Sequence, residues 1–153
     1  MAIWCREGAN DDGQQGPSRD AEGMTSDRTE INLRVGQVVD AAMRVHTALG
    51  PGLLEGAYEA CLAQELRWRG LAVRTQVAMP LIYRRATIDV GYRIDLLVDD
   101  TVVVELKSVA KLLPVHEAQL LSYLKLSGRR AGLLINFHVA HLKDGVKRMV
   151  NGL

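Results

Sequence analysis

The sequence predicts an α/β fold in which two helices come first and a mixed sheet with a crossing helix follows. Three observations carry that expectation. Apolar residues recur at helical spacing from Ile31 to Arg69, the period shortens to two between Leu71 and Leu106, and a second helical stretch is followed by an unbroken apolar run, Ala131 to Phe137. At 153 residues, one domain with one core is expected. With 48% hydrophobic and 24% charged residues, collagen-like and wholly disordered classes are excluded. No apolar stretch approaches the ~18–20 residues of a spanning helix, and the N-terminus lacks a signal peptide's basic start and apolar middle. The expectations are therefore a cytoplasmic location and no membrane partner.

Residues 1–30 mix Gly8, Gly13, Gly16, Gly23 and Pro17 with Asn, Asp, Gln and Ser, and Ile3 is their only aliphatic residue larger than alanine. Such a segment buries too little apolar area to offset its ordering entropy, so it reads as a disordered leader ahead of a domain at 31–153. Met24 offers an alternative start. The first helix runs from Ile31 to Leu49 and stops at Gly50-Pro51; the second runs from about Leu53 to Arg69 and stops at Gly70. Leu71–Met79, Leu81–Ile88, Gly91–Val98 and Thr101–Leu106 read as strands of a mostly antiparallel meander. A helix from about Val115 to Ser127 stops at Gly128, and the run ending at Phe137 suits a strand buried on both faces. A short basic helix, Lys143 to Val150, is expected last.

Charge and cysteine narrow the partners. The net charge of +1 conceals an asymmetry, because residues 1–30 hold three basic and seven acidic residues and leave 16 against 11 in the remainder. A mildly basic domain permits a polyanionic partner. Cys5 and Cys61 are too few and too scattered for a disulfide framework or a cysteine-ligated zinc site.

The chemistry concentrates between Tyr92 and Lys107. If Asp99, Asp100 and Thr101 form the loop of a hairpin, Val98 pairs with Val102, Asp95 falls opposite Glu105 and Arg93 opposite Lys107. Period-two geometry then puts those four charged residues on one face and Ile94, Leu96, Val98, Val102, Val104 and Leu106 on the other. Leu97 and Val103 share the charged face, which suggests a helix partly covers it. Two facing carboxylates there require compensation. One reading is a hard divalent cation held by Asp95, Glu105 and the Leu106 carbonyl, with Lys107 beside the attacking water or the phosphate. The other is a ladder of salt bridges in which Arg93 and Lys107 neutralise the two acids.

Two neighbouring helices favour the first reading. His116, Gln119 and Tyr123 stand at i, i+3 and i+7, a polar stripe beside an apolar one, although Gln119 and Tyr123 also suit a helix boundary and His116 suits a local cap. With Gly52 as N-cap, Glu55 occupies the third helical position, where exposed amides favour a carboxylate. It would otherwise bring a third acidic group to the site, with Tyr58 packed one turn beneath.

Gly52-x-x-Glu55-x-x-Tyr58, Gly91-Tyr-Arg-Ile-Asp95-Leu-Leu-Val98, Val104-Glu-Leu-Lys107, His116-Glu-Ala-Gln119-Leu-Leu-Ser-Tyr123 and Gly132-Leu-Leu-Ile-Asn-Phe137 resemble, in order, the GxxExxY protein family, which is assigned to the PD-(D/E)xK nuclease-like superfamily. The resemblance covers about residues 31–150. It implies a restriction-endonuclease-like core, with Asp95 as the acidic residue of the metal site, Glu105 and Lys107 as the (D/E)xK pair and Glu55 as the N-terminal helix acid. Gln119 and Tyr123 resemble the QxxxY element of exonuclease-type members. Ile94 replaces the proline that often precedes the first aspartate.

The implied function is hydrolysis of phosphodiester bonds in DNA or RNA with Mg²⁺ or Mn²⁺. Arg84, Arg85, Arg129, Arg130, Lys143, Lys147 and Arg148 are candidates to contact phosphates. A nucleic-acid-binding or protein-interaction module that does not cut is the alternative, since nuclease domains of this size often assemble as homodimers or serve larger complexes. A hydrolase of non-nucleic phosphodiesters is a third.

Overall fold

Residues 19–152 are described by the computed structural model, with side chains from residue 23 onward. Helix α1 (Arg19–Leu49) buries Ile31, Val35, Val38, Ala42 and Val45 along one stripe. The expected leader lies outside the described residues up to residue 18, and from Arg19 the chain is helical. Residues 23–30 are all exposed, and among the described residues Ile31 is the first buried side chain. Extending a packed helix adds one hydrogen bond per residue without a new nucleus, so the solvated turns continue from the buried part. At its other end α1 stops where Gly50 turns left-handed (φ +67°), and His46 Nε2 hydrogen-bonds the Val139 carbonyl at 2.8 Å.

Helix α2 (Glu55–Trp68) buries Tyr58, Leu62, Ala63 and Leu66 against α1 and the sheet. Strands β1 (Val73–Ala78), β4 (Arg93–Val98), β5 (Val102–Lys107), β6 (Ala131–Asn136) and β7 (Val146–Val150) form one sheet in the order β1-β4-β5-β6-β7. Helix α3 (Pro114–Ser127) crosses between β5 and β6, which are parallel; the other neighbours are antiparallel. Leu96, Val98, Val104, Leu133 and Ile135 pack beneath α1 and α2, while Leu97, Val103 and Leu134 pack with Leu120 and Leu124 of α3 on the opposite face. This is an α/β architecture of N-terminal helices, a mixed five-stranded sheet and a crossing helix, consistent with a restriction-endonuclease-like fold.

Two elements differ from expectation. The stretch Leu81–Ile88 is not one strand of a meander but a small separate hairpin, β2 (Leu81–Tyr83) and β3 (Ala86–Ile88), turned by Arg84 and Arg85, both at positive φ; β1 therefore pairs with β4. The expected C-terminal helix is a 3₁₀ turn, Leu142–Gly145, leading into β7. At Gly145 the chain runs so close to β6 that a Cβ would lie 2.2 Å from the Asn136 carbonyl oxygen. Beyond it, Val146 reaches one core and Met149 the other, the period-two pattern of a strand. Lys147 and Arg148 then occupy an edge that would otherwise invite further pairing.

Candidate active site

The β4–β5 register is the expected one: Leu96, Leu97 and Val98 pair with Val104, Val103 and Val102 around a turn with Asp99 and Asp100 at positive φ. Pairing ends at Leu96 and Val104. Beyond that point β1 and β4 kink together, Gln76 of β1 having φ +51°. Val73 packs toward α1 and α2 but Val77 toward α3, and Leu96 and Ile94 divide in the same way. Ile94 therefore leaves the face it was expected to share with Leu96 and Val98.

The kink aims Asp95 at the edge of β5. Its Oδ2 accepts a hydrogen bond from the Leu106 amide at 2.8 Å and its Oδ1 one from Gln76 Nε2 at 3.3 Å. A side-chain oxygen has thus taken the place of a ladder carbonyl. Because the N–H and C=O of a strand residue point to the same edge, the Leu106 carbonyl also faces the gap between the parted strands. The next residue points the other way, since Phe137 N donates to the Lys107 carbonyl at 2.9 Å.

Glu105 is only 3% exposed. Its Oε1 accepts from Lys107 Nζ at 2.9 Å, whereas its Oε2 is buried without a partner. Burial and the Asp95 charge, relieved in part by Lys107, push the Glu105 carboxyl up to about 7. Burial likewise raises Asp95, against the Leu106 amide and Lys107. Burial alone would lower Lys107, but its hydrogen bond to Glu105 and the charges of Glu105, Glu55 and Asp95 outweigh that and raise it. The salt-bridge ladder is only half formed, because Arg93 is exposed and donates to the Gln76 carbonyl at 3.3 Å rather than neutralising an acid.

Glu55 reaches this cluster from the opposite layer, its charge raising Glu105. It is the first residue of α2, not the third as expected: Leu54 is the N-cap, with no side-chain capping bond. The preceding loop is tied elsewhere. Tyr58 Oη donates to the Gly50 carbonyl at 2.5 Å and accepts from Leu53 N at 3.1 Å, and Ser108 Oγ donates to the Leu53 carbonyl at 2.8 Å. Those bonds hold residues 50–53 in a bent loop, with Gly50 and Gly52 at positive φ, and delay the helix.

On α3, Gln119 Nε2 donates to Tyr123 Oη at 2.9 Å. Burial raises the Tyr123 hydroxyl, and the charges of Glu105 and Asp95 raise it further, so this pair stands beside the carboxylates. His116 only caps the helix, its Nδ1 accepting from Leu113 N at 3.0 Å. Glu55, Asp95, Glu105, Lys107, Gln119 and Tyr123 are thus brought to the open end of the β4–β5 hairpin. Glu59 and Gln76 join them without having been expected: Gln76 Nε2 donates to Glu59 Oε2 at 2.7 Å as well as to Asp95. Glu59 sits one helical turn after Glu55, a spacing that could have flagged it; nothing in the sequence marks the left-handed backbone that turns Gln76 inward.

Among the described residues, no three His, Cys, Asp or Glu side chains converge closely enough to hold a metal ion by themselves. The donor set nonetheless fits a hard, partly hydrated ion. The unpartnered Glu105 Oε2, the Asp95 carboxylate and the Leu106 carbonyl are oxygen donors, and Mg²⁺ commonly keeps several waters beside one or two carboxylates. A family model described as the PD-(D/E)XK nuclease superfamily matches residues 33–149. No curated protein and no solved structure matches the chain.

Proposed function

The chain belongs to the PD-(D/E)XK nuclease superfamily, and from that premise we propose a metal-dependent nuclease of the GxxExxY family, carried by residues 31–153, that hydrolyses phosphodiester bonds in DNA or RNA. The observation that carries the reading is Glu105: a buried carboxylate with one oxygen satisfied by Lys107 and the other unpartnered beside Asp95. An unsatisfied buried anion next to a second anion is costly unless a cation completes it. Asp95, Glu105 and the Leu106 carbonyl would hold Mg²⁺ or Mn²⁺ directly, and Glu55, which does not converge with the two acids closely enough to be a third ligand, would act on the ion through its bound water. When bound, the ion supplies Lewis-acid stabilisation of the phosphoryl oxygens and a water of lowered pKa.

The remaining roles belong to the chain itself. Lys107 donates to Glu105 and is therefore held as an ammonium, placed to orient water and offset charge growing on the phosphoryl group. Gln119 fixes the Tyr123 hydroxyl, and the pair positions the scissile strand. Purified protein incubated with single- and double-stranded DNA and RNA should cut at least one of them in Mg²⁺ or Mn²⁺. Neither EDTA-treated protein nor Asp95→Asn should cut. Cleavage that survives both, or none with any substrate and metal, would contradict the proposal.

A further inference from the structure

The β2–β3 hairpin is the least economical part of the molecule. It stands apart from the main sheet and presents Ile82 and Tyr83 to solvent, 69% and 61% exposed. Its two-residue turn has the left-handed backbone in which Asn and Gly are favoured, yet it is built from Arg84 (φ +46°) and Arg85 (φ +69°). Each non-glycine residue held there costs on the order of 1 kcal/mol. Folding offsets that strain only in part: Arg84 lies 5.6 Å over the Tyr83 ring, a cation–π contact worth about 0.5–1 kcal/mol at an exposed site, and among the described residues no carboxylate pairs with either guanidinium. Four of the other five basic candidates are engaged, Arg129 with Asp100, Arg130 with Asp27, Lys147 with Glu117 and Arg148 with Asn32, and Lys143 lines a different cavity, beside Met43 and His46.

The chain runs from the hairpin through Tyr92 into β4, the strand that carries Asp95. Tyr92, 47% exposed at the foot of β4, meets Tyr123 edge-on at 6.4 Å between ring centroids. Its carbonyl accepts from Met79 N at 2.8 Å, fixing the chain just before β2. A groove of about 590 Å³ lined by Leu81, Tyr92, Gln119 and Tyr123, among others, runs between the hairpin and α3. Exposed aromatic faces interleaved with unpaired guanidiniums suit unpaired bases, which offer a ring face to stack and a phosphate to neutralise; a duplex hides its base faces.

We infer that Tyr92, Tyr83, Arg84 and Arg85 form a platform for the unpaired nucleotides flanking the scissile phosphate, so that the substrate is single-stranded at that position. This rests on the nuclease reading for its scissile phosphate, but binding can be measured without cleavage. The probes are fluorescent single-stranded DNA and RNA oligonucleotides and a blunt duplex, titrated in EDTA over a range of salt concentrations. Arg84→Asn/Arg85→Gly relieves the turn, so it should melt at the same or a higher temperature than wild type. It should bind single strands roughly tenfold more weakly, with a log–log salt slope shallower by about 1.4, the value for two lost phosphate contacts on a single strand. Tyr83→Ala should weaken binding at least about fivefold without changing that slope, because it removes stacking and not charge.

Unchanged affinity and slope in both variants would overturn the platform, as would tighter binding of blunt duplex than of single strands by wild type. The two readings fail separately. Hairpin variants that bind normally, with a wild type that cuts, remove the platform and leave the nuclease. Hairpin-dependent binding by a wild type that cuts nothing supports the platform and removes the nuclease.

Discussion

Glu105→Gln should reduce metal-dependent cleavage by well over a hundredfold, beyond the 10–100-fold typical of losing a mere supporting group of a metal site, while making the metal-free protein more stable at pH 8. The sign follows from proton binding. Folding raises the Glu105 carboxyl from 4.5 to about 7, so between those values the folded state holds more protons than the unfolded one and stability falls as pH rises. The loss begins near pH 4.5, is complete just above pH 7 and amounts to about 3 kcal/mol. An amide of the same shape carries no such penalty. Part of the gain is offset because Lys107 loses its partner, so a net stabilisation of about 1–2 kcal/mol is expected at pH 8, shrinking toward zero at pH 5. Urea melts of both proteins at the two pH values check this. A variant that is less stable than wild type at pH 8 would mean that Glu105 serves as a salt-bridge partner.

Tyr58→Ala should cause the largest loss of stability of any substitution near the site, about 3–5 kcal/mol. Tyr58 is 0% exposed, stacks on Phe137 with ring centroids 4.4 Å apart and planes 12° apart, and its hydroxyl bridges Gly50 and Leu53. Tyr58→Phe separates the two roles. The ring and its stacking remain, two loop groups lose their partner, and the expected cost is about 1 kcal/mol. The phenylalanine variant should nevertheless bind Mn²⁺ more weakly, because the freed loop no longer fixes where α2 begins and hence where Glu55 stands. Equal metal affinity in Tyr58→Phe and wild type would separate the loop from the site. The spacing Gly52, Glu55, Tyr58 acquires a physical reason in this arrangement: φ +104° at Gly52 is open only to glycine, and Tyr58, the fourth residue of α2, closes the loop around that glycine by bonding Gly50 and Leu53.

What the sequence made legible was whatever depends on neighbours along the chain or on a two-residue period. The hairpin register follows from Val98, Asp99, Asp100, Thr101 and Val102 alone, and the run from Ala131 to Phe137 marks the buried parallel strand because no polar side chain interrupts it before Asn136. The kink at Asp95 is not legible because its cause, the left-handed Gln76, lies on the neighbouring strand β1, 19 residues away in the chain. Without that kink Ile94 seemed to belong with Leu96, and Asp95 seemed to face Glu105 squarely rather than to cap the Leu106 amide. The stretch from Lys143 to Val150 is too short for its period to decide between helix and strand; the bare edge of β6 decided it. Glu59 carries no distinguishing mark in the sequence beyond its spacing from Glu55, since an acidic residue within a helix is usually a solvated one.

In the proposed nuclease, Asp95 and Glu105 form a cation site completed by the Leu106 carbonyl. Thermal melts of wild type, Asp95→Asn and Glu105→Gln at pH 8, with and without millimolar Mn²⁺, test it most directly. A ligand at a hundred times its Kd stabilises the folded state by about 2.7 kcal/mol, on the order of 5–10 °C for a chain of this length. Wild type should gain several degrees in Mn²⁺ and less at pH 6, where Glu105 is largely protonated and must release its proton first; neither variant should respond. A wild type whose melting temperature Mn²⁺ leaves unmoved at pH 8, together with variants that melt lower than it without metal, would contradict the cation site and leave a salt-bridged hairpin in its place.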